Sequence, residues 1–303
     1  MFLYQLTFMV SVLGMHNKLF LMDPIKKKRI IIEANDSSKR YWKDIWDFRE
    51  LFYFFAWRDI LVRYKQTVIG VAWSIIRPLL SIFVFSFLGY LFGISAQGTN
   101  RILMVTAAVL PWQFFSSAFS EASGSFVANS GLISKIYFPR LIIPASSVIV
   151  CLFDFFIAFV ILIIFMICFG QMPGVNIFFL PLFLLQAIIT TFGFSLFIAT
   201  LNVKYRDFRY VIPFIVQIGY FISPLMFTSS EIYDNNKLPQ FIKVLYSMNP
   251  MVGVIDGFRW SILGDKMNIY SDGFLVSIGI SLFFLFIGII YFRKFEKNFA
   301  DFI

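Results

Sequence analysis

Apolar runs long enough to cross a lipid bilayer recur along this sequence, and nothing else about it restricts the fold as severely. A helical span needs about 20 predominantly apolar residues. Such stretches run roughly over 66–93, 102–122, 141–169, 176–201, 210–228 and 273–292. They lack period-two alternation, which excludes a transmembrane barrel. The fold class is therefore an all-α polytopic membrane protein with six transmembrane helices. Composition agrees: only 14% of the 303 residues are charged, against about a quarter in soluble domains. Little water-soluble domain fits between the spans.

The chain divides into three parts. Residues 1–43 read as a cytoplasmic N-terminal extension. Its start, MFLYQLTFMVSVLGMHNKLFLM, has neither a charged n-region nor a small-residue cleavage site, which argues against a signal peptide. The KKKR that follows reads as a solvated tail beside anionic lipid. Residues 44–65 carry Phe48, Leu51, Phe52 and Phe55 at i, i+3, i+4, i+7 spacing, but the longest uncharged run there is seven residues. That pattern predicts an amphipathic helix lying in the membrane interface. Residues 66–303 form the transmembrane domain.

Lysine and arginine counts set the orientation. Residues 1–65, 123–140, 202–209 and the tail after 292 hold 20 cations; the opposite connections hold 5. The basic NVKYRDFR and the uncharged GQMPGVN give the same answer. Both termini are expected in the cytoplasm and 229–272 outside, in a multi-pass protein of the cell inner (plasma) membrane. The net charge of +9 follows this rule and forms no basic face interleaved with aromatics, so no nucleic-acid partner is expected.

Several chemistries are excluded or weakened. No G-x-x-x-x-G-K-[ST] occurs, so these residues cannot cradle nucleotide phosphates in a P-loop. G-x-S-x-G, C-x-x-C and H-E-x-x-H are also missing from the sequence. Cys151 and Cys168 lie on one span about 25 Å apart, too far for a disulfide. His16 has no ligand-spaced companion. No metal, no catalytic residue and no cofactor of its own is expected. A membrane-embedded glycosyl- or acyltransferase remains the enzyme alternative, with only Asp154 and Glu121 available as carboxylates; a secondary transporter lacks the internal repeat it would need.

Arg77 and Asp154 are the two ionisable residues deep in the predicted spans. Counted from the cytoplasmic starts of their spans, they lie about 17 and 20 Å in. An ion at the bilayer centre costs about 2.5–3.5 kcal/mol on insertion scales. Three readings stay open: the two pair, Arg77 lines a wet path for an anionic substrate, or Arg77 snorkels to the interface along its stem. The segment 229–272 is broken by Pro239, Pro250 and Gly253, which suggests outer re-entrant helices. Its aromatics, including Tyr246, Phe258 and Trp260, are expected at the outer boundary with Trp112, Phe114 and Phe115. They form either an interfacial aromatic belt or a gate whose rings stack on sugars.

Four blocks in order carry a resemblance: RDILVRYKQTVIGVAWSIIRPLL, YFPRLIIPASSVIVCLFDFF, LNVKYRDFRYVIPFIVQIGYFISPLMF and MNPMVGVIDGFRWSILG. Over about residues 44–295 the chain resembles the permease subunit of polysaccharide-exporting ATP-binding-cassette transporters. These belong to the ABC-2 type family, which includes O-antigen, capsule and teichoic-acid exporters. The resemblance implies a homodimer of permeases, two copies of a separate ATPase subunit that holds ATP and Mg, and a lipid-linked polysaccharide as substrate. It implies that SGLISKIYFPR couples to the ATPase, through Ser134, Lys135, Ile136, Tyr137, Phe138 and Arg140. The long basic N-terminus looks more like the O-antigen exporters than the capsule type.

Overall fold

Prolines, glycines and asparagines set the helix ends in this chain, while the apolar runs supply the helices themselves. The computed structural model describes residues 38–65, 72–94, 96, 99–205, 207–264, 267, 269–296 and 299. Expectations for residues 1–37 and 66–71 fall outside these. Residues up to Trp42 make a unit of their own; the account below concerns Lys43–Ile303.

The helices are α1 (Ser38–Asp47), α2 (Arg49–Lys65), α3 (Ala72–Leu91), α4 (Arg101–Ala128), α5 (Ile142–Cys168), α6 (Leu180–Lys204), α7 (Phe208–Ile222), α8 (Gln240–Ser247), α9 (Pro250–Leu263) and α10 (Ser271–Phe295). No strand occurs among the described residues. The expected helix over 44–65 is thus broken at Phe48, and its first part starts at Ser38. On α2, Phe55 is buried while Tyr53 and Trp57 are exposed, so one face packs inward and the other carries amphipathic rings. Asn100 caps α4 by accepting from the Ile102 N–H (2.9 Å). Asn249 caps α9 through Met251 N–H (3.0 Å), with Pro250 at the first helical position. Gly264, at φ 72°, ends α9 in the left-handed region that glycine tolerates.

Among the described residues, five helices are long and apolar enough to cross a membrane: α3, α4, α5, α10, and the run Val175–Lys204 that contains α6. The sixth expected span, over 210–228, departs from this. Helix α7 has 15 residues, about 22 Å, against a hydrocarbon core of about 30 Å. It stops because Ser223 precedes Pro224 and is extended (ψ 148°), the conformation that a following proline favours.

Helix α4 lies at the centre, against α3, α5, α6 and α9. Helices α6 and α10 meet closely. A methyl on Gly193 would fall inside van der Waals contact with the Leu285 backbone. Gln186 Nε2 donates to Ser277 Oγ (3.0 Å), Thr190 shares a bond with Ser281 (2.8 Å), and Phe194 stacks on Phe284 (3.8 Å). Small residues with hydroxyl bonds are what bring helices together where lipid removes the hydrophobic drive.

Contacts define two ends of the bundle. At one, Asn202 Nδ2 donates to Ser123 O (3.1 Å), Phe126 stacks on Phe292 (5.6 Å) and Lys204 lies over Phe295 (5.2 Å). At the other, Arg259 reaches Met104, Leu225 and Phe227, and Phe179 meets Trp260 (5.5 Å). Helix α9 is buried at every residue except Trp260, which is half-buried. The segment expected to be exterior thus sends a helix into the body of the protein.

Candidate functional site

Cations on the last turn of a helix complement its dipole, and α2 ends in Arg63 and Lys65. Arg63 does more than this. Its Nη2 donates to Glu121 on α4 and its Nη1 to Asp154 on α5. Asp154 Oδ1 also accepts from the Tyr64 hydroxyl and from Ser74 Oγ (3.0 Å) on α3. One guanidinium and two carboxylates therefore tie α2, α3, α4 and α5 together. Burial works against the Arg63 charge, but Glu121, the Cys151 sulfur and Asp154 outweigh it and hold the group above its usual range.

Of the three open readings of Arg77, its pairing with Asp154 is not what the structure has: Asp154 pairs with Arg63. The reason is geometric. The end of α2, placed by its composition at the membrane boundary, reaches back to a carboxylate 91 residues away, a separation no spacing rule reveals. The signal available was arithmetic, since Glu121 and Asp154 both needed a cation.

Arg77 is nonetheless close by. It lines, with Arg63, Trp73, Ser74, Gln113, Ser117, Glu121 and Asp154, a cavity of about 270 Å³. Its side chain is exposed and, among the described residues, makes no hydrogen bond or ion pair. A second, wider groove of about 590 Å³ runs between α4 and α7, with Ser120, Gln217 and Arg209 on an otherwise apolar wall.

The segment after α4 is held at its ends and open in its middle. Phe138 is buried against Phe55 of α2 (5.7 Å). The Arg140 backbone N–H donates to Glu296 Oε1 (3.3 Å), and its guanidinium donates to Glu296 O and lies over Phe299 (5.6 Å). Ahead of these anchors, and after the buried Ile133, Ser134, Lys135, Ile136 and Tyr137 are exposed, the last two at 58% and 57%. Two large apolar side chains are thus presented outward on a braced support.

The outer aromatics do not form a girdle. Trp112, Phe114, Phe115, Tyr246 and Phe258 are buried. Trp112 packs on Phe115 (5.3 Å) and Tyr220 (6.1 Å); Phe114 and Phe258 both meet Phe155. Trp112 is the twelfth residue of α4, about 17 Å from its start, so it lies inside the bundle and not at the boundary. Only Trp260 is half-buried, between Phe179 and Phe183.

One feature of the interior gave no prior signal. Arg259, 1% exposed, donates from Nε to Met104 O (3.2 Å), from Nη1 to Phe227 O (2.8 Å) and from Nη2 to Leu225 O (3.2 Å). Asp256, one turn earlier on α9, is also buried. Arg259 was counted as an exterior loop cation. In the fold it binds α9 to α4 and to the bent, non-helical stretch after α7.

Long apolar helices and a cavity lined in part by Arg63, Arg77, Glu121 and Asp154 are what the structure offers. The chain belongs to the ABC-2 type transporter family, which residues 50–263 match. It is similar to two proteins of Klebsiella pneumoniae named O-antigen export system permease protein RfbA. One is 28% identical over 251 residues, covering 80% of this chain and 91% of the relative. The other is 27% identical over 245 residues, with the same coverage. A protein of that name from Myxococcus xanthus is 21% identical over 217 residues, covering 72% and 82%. Membership places the chain in a membrane as the transport subunit that works with an ATP-binding partner.

Proposed function

We propose that this protein is the permease subunit that exports a lipid-linked polysaccharide, most closely an O-antigen, across the inner membrane. ATP hydrolysis on a separate nucleotide-binding subunit drives the export. The observation that carries the reading is the likeness to O-antigen export permeases over 91% of the length of two relatives. Two permeases and two ATPase copies form the working unit. The ATPase contributes the chemistry, and its nucleotide cycle shifts the permease between states through differential contacts.

Six crossings fit this reading. Helix α7 starts beside Lys204 at one end of the bundle, and the residues after it meet Arg259 and Asn249 at the other. The chain can thus traverse there despite the short helix, with both termini on the cytoplasmic side and α8–α9 as an outer re-entrant pair. Ser134–Tyr137, held out between the buried Ile133 and Phe138, is the surface for the ATPase; Ile136 and Tyr137 supply the apolar anchors that a groove accepts.

Cysteines at Ile136 and Tyr137 should cross-link to the co-expressed ATPase, while one at Phe241 should react only with an impermeant label added from outside. Reaction of position 241 from the cytoplasmic face, or no ATPase adduct at either anchor, would sink the arrangement.

A further inference from the structure

The cavity at the end of α2 holds two guanidinium groups, and only one of them is committed. Arg63 gives Nη1 and Nη2 to Asp154 and Glu121, and Asp154 takes two further hydroxyl donors from Tyr64 and Ser74. The carboxylates are thereby occupied. Arg77 has five N–H donors in a planar fork, and no group among the described residues accepts from them. Beside it on the cavity wall are the Ser117 hydroxyl and the indole of Trp73, 46% exposed.

Position and size narrow what could accept. Arg77 is the sixth residue of α3, about 8 Å along the axis from Ala72. It lies in the first half of the described helix. The cavity of about 270 Å³ lies just under the roughly 300–1,000 Å³ of sites that enclose drug-sized molecules. It takes a headgroup, not a glycan. Arg63, Arg77, Glu121 and Asp154 sum to zero charge, so the site does not gather anions from a distance; it holds one by directed donors. Phosphate matches the guanidinium fork in a bidentate way.

The geometry points to Arg77, with Ser117, as a recognition site for the phosphate of a membrane amphiphile, the lipid end of the exported substrate. This rests on the exporter reading. Arg63 holds the two carboxylates, which leaves the Arg77 guanidinium as the donor for the phosphate.

The test uses the permease–ATPase complex in phosphatidylcholine nanodiscs, titrated with radiolabelled farnesyl diphosphate. Inorganic pyrophosphate should compete, farnesol should not, and Arg77→Gln should raise Kd at least about tenfold. Arg77→Lys keeps the charge without the fork and should recover only part of the affinity. It also gives the reading if Arg77→Gln does not assemble, since wild-type affinity in Arg77→Lys would then overturn the site. Equal Kd in Arg77→Gln, or competition by farnesol, would overturn it too. Phosphatidic acid competing as well as farnesyl diphosphate would refute assignment to the substrate. Repeating the titration on the permease alone separates the two levels: failure to recover any ATPase would remove the exporter reading while leaving the Arg77 comparison intact.

Discussion

Helices α3 and α4 have nearly the same mean hydropathy, 1.7 and 1.5 over their most apolar windows, yet 22% of the first window is buried and 78% of the second. Helix α5 is far greasier at 3.2 and only 39% buried. Hydropathy therefore does not rank these helices by burial. In a membrane the most apolar faces can be left to lipid, while small and polar residues go inside, where packing and hydrogen bonds hold helices together. By that logic α4 and α5 are ordinary. Helix α3 is the exception, being exposed without being especially apolar. Its outer face carries Phe83, Phe87 and Tyr90. Under the dimer proposed above, this is the face to test as the contact with a second copy.

The contrast can be tested at three positions. On the enclosed side, Arg259→Met should have the largest effect. It strips three buried carbonyls of their donor and leaves Asp256 without its neighbouring cation, a loss of about 3–5 kcal/mol by analogy with broken buried pairs. Folded yield and the denaturation midpoint in detergent should both collapse; a midpoint near wild type would mean that α9 is not a fixed part of the core. Gly193→Val should be milder, about 1–3 kcal/mol, since it pushes α6 away from Leu285 on α10. A Tm within a degree of wild type would show that the seam can open freely. On the open side, Phe87→Ser should change the stability of the isolated chain by no more than about 0.5 kcal/mol, yet lower the dimer fraction seen by cross-linking. If it destabilises the monomer as much as Gly193→Val does, α3 belongs to the core and the comparison fails.

Much of the helical layout was legible, because each run over α3, α4, α5, α6 and α10 is long enough to name itself. The rest depended on contacts between distant residues. Helix α7 ends early at Ser223-Pro224, a boundary that an apolar run hides but the proline announces. Arg259 looked like a loop cation because its partners are backbone carbonyls, which leave no trace in side-chain identity. Asp154 was recognised as special while its partner was missed, since charge burial is visible in one residue and pairing needs two elements. The belt alternative for the aromatics does not hold for a related reason: Trp112 and Phe258 suit a membrane boundary and a protein interior equally well by composition. In the stretch proposed to meet the ATPase, the sequence order alone could not tell the anchors Phe138 and Arg140 from the outward-facing Ile136 and Tyr137.

The residues after α10 bear on how this protein can be handled. Phe299 is 2% exposed, wedged against Phe126 (5.1 Å) and Phe292 (5.8 Å), and Glu296 accepts from both Arg140 and Arg293. This stretch acts as a clasp, and the proposed ATPase surface hangs from the residue it holds. An affinity tag or reporter spliced on directly after Phe295 would evict the Phe299 ring, forfeiting about 1.5–3 kcal/mol of burial, and would free Arg140 from Glu296. A purification handle placed there would loosen the docking segment without altering any of its residues, so fusions should join beyond Phe299.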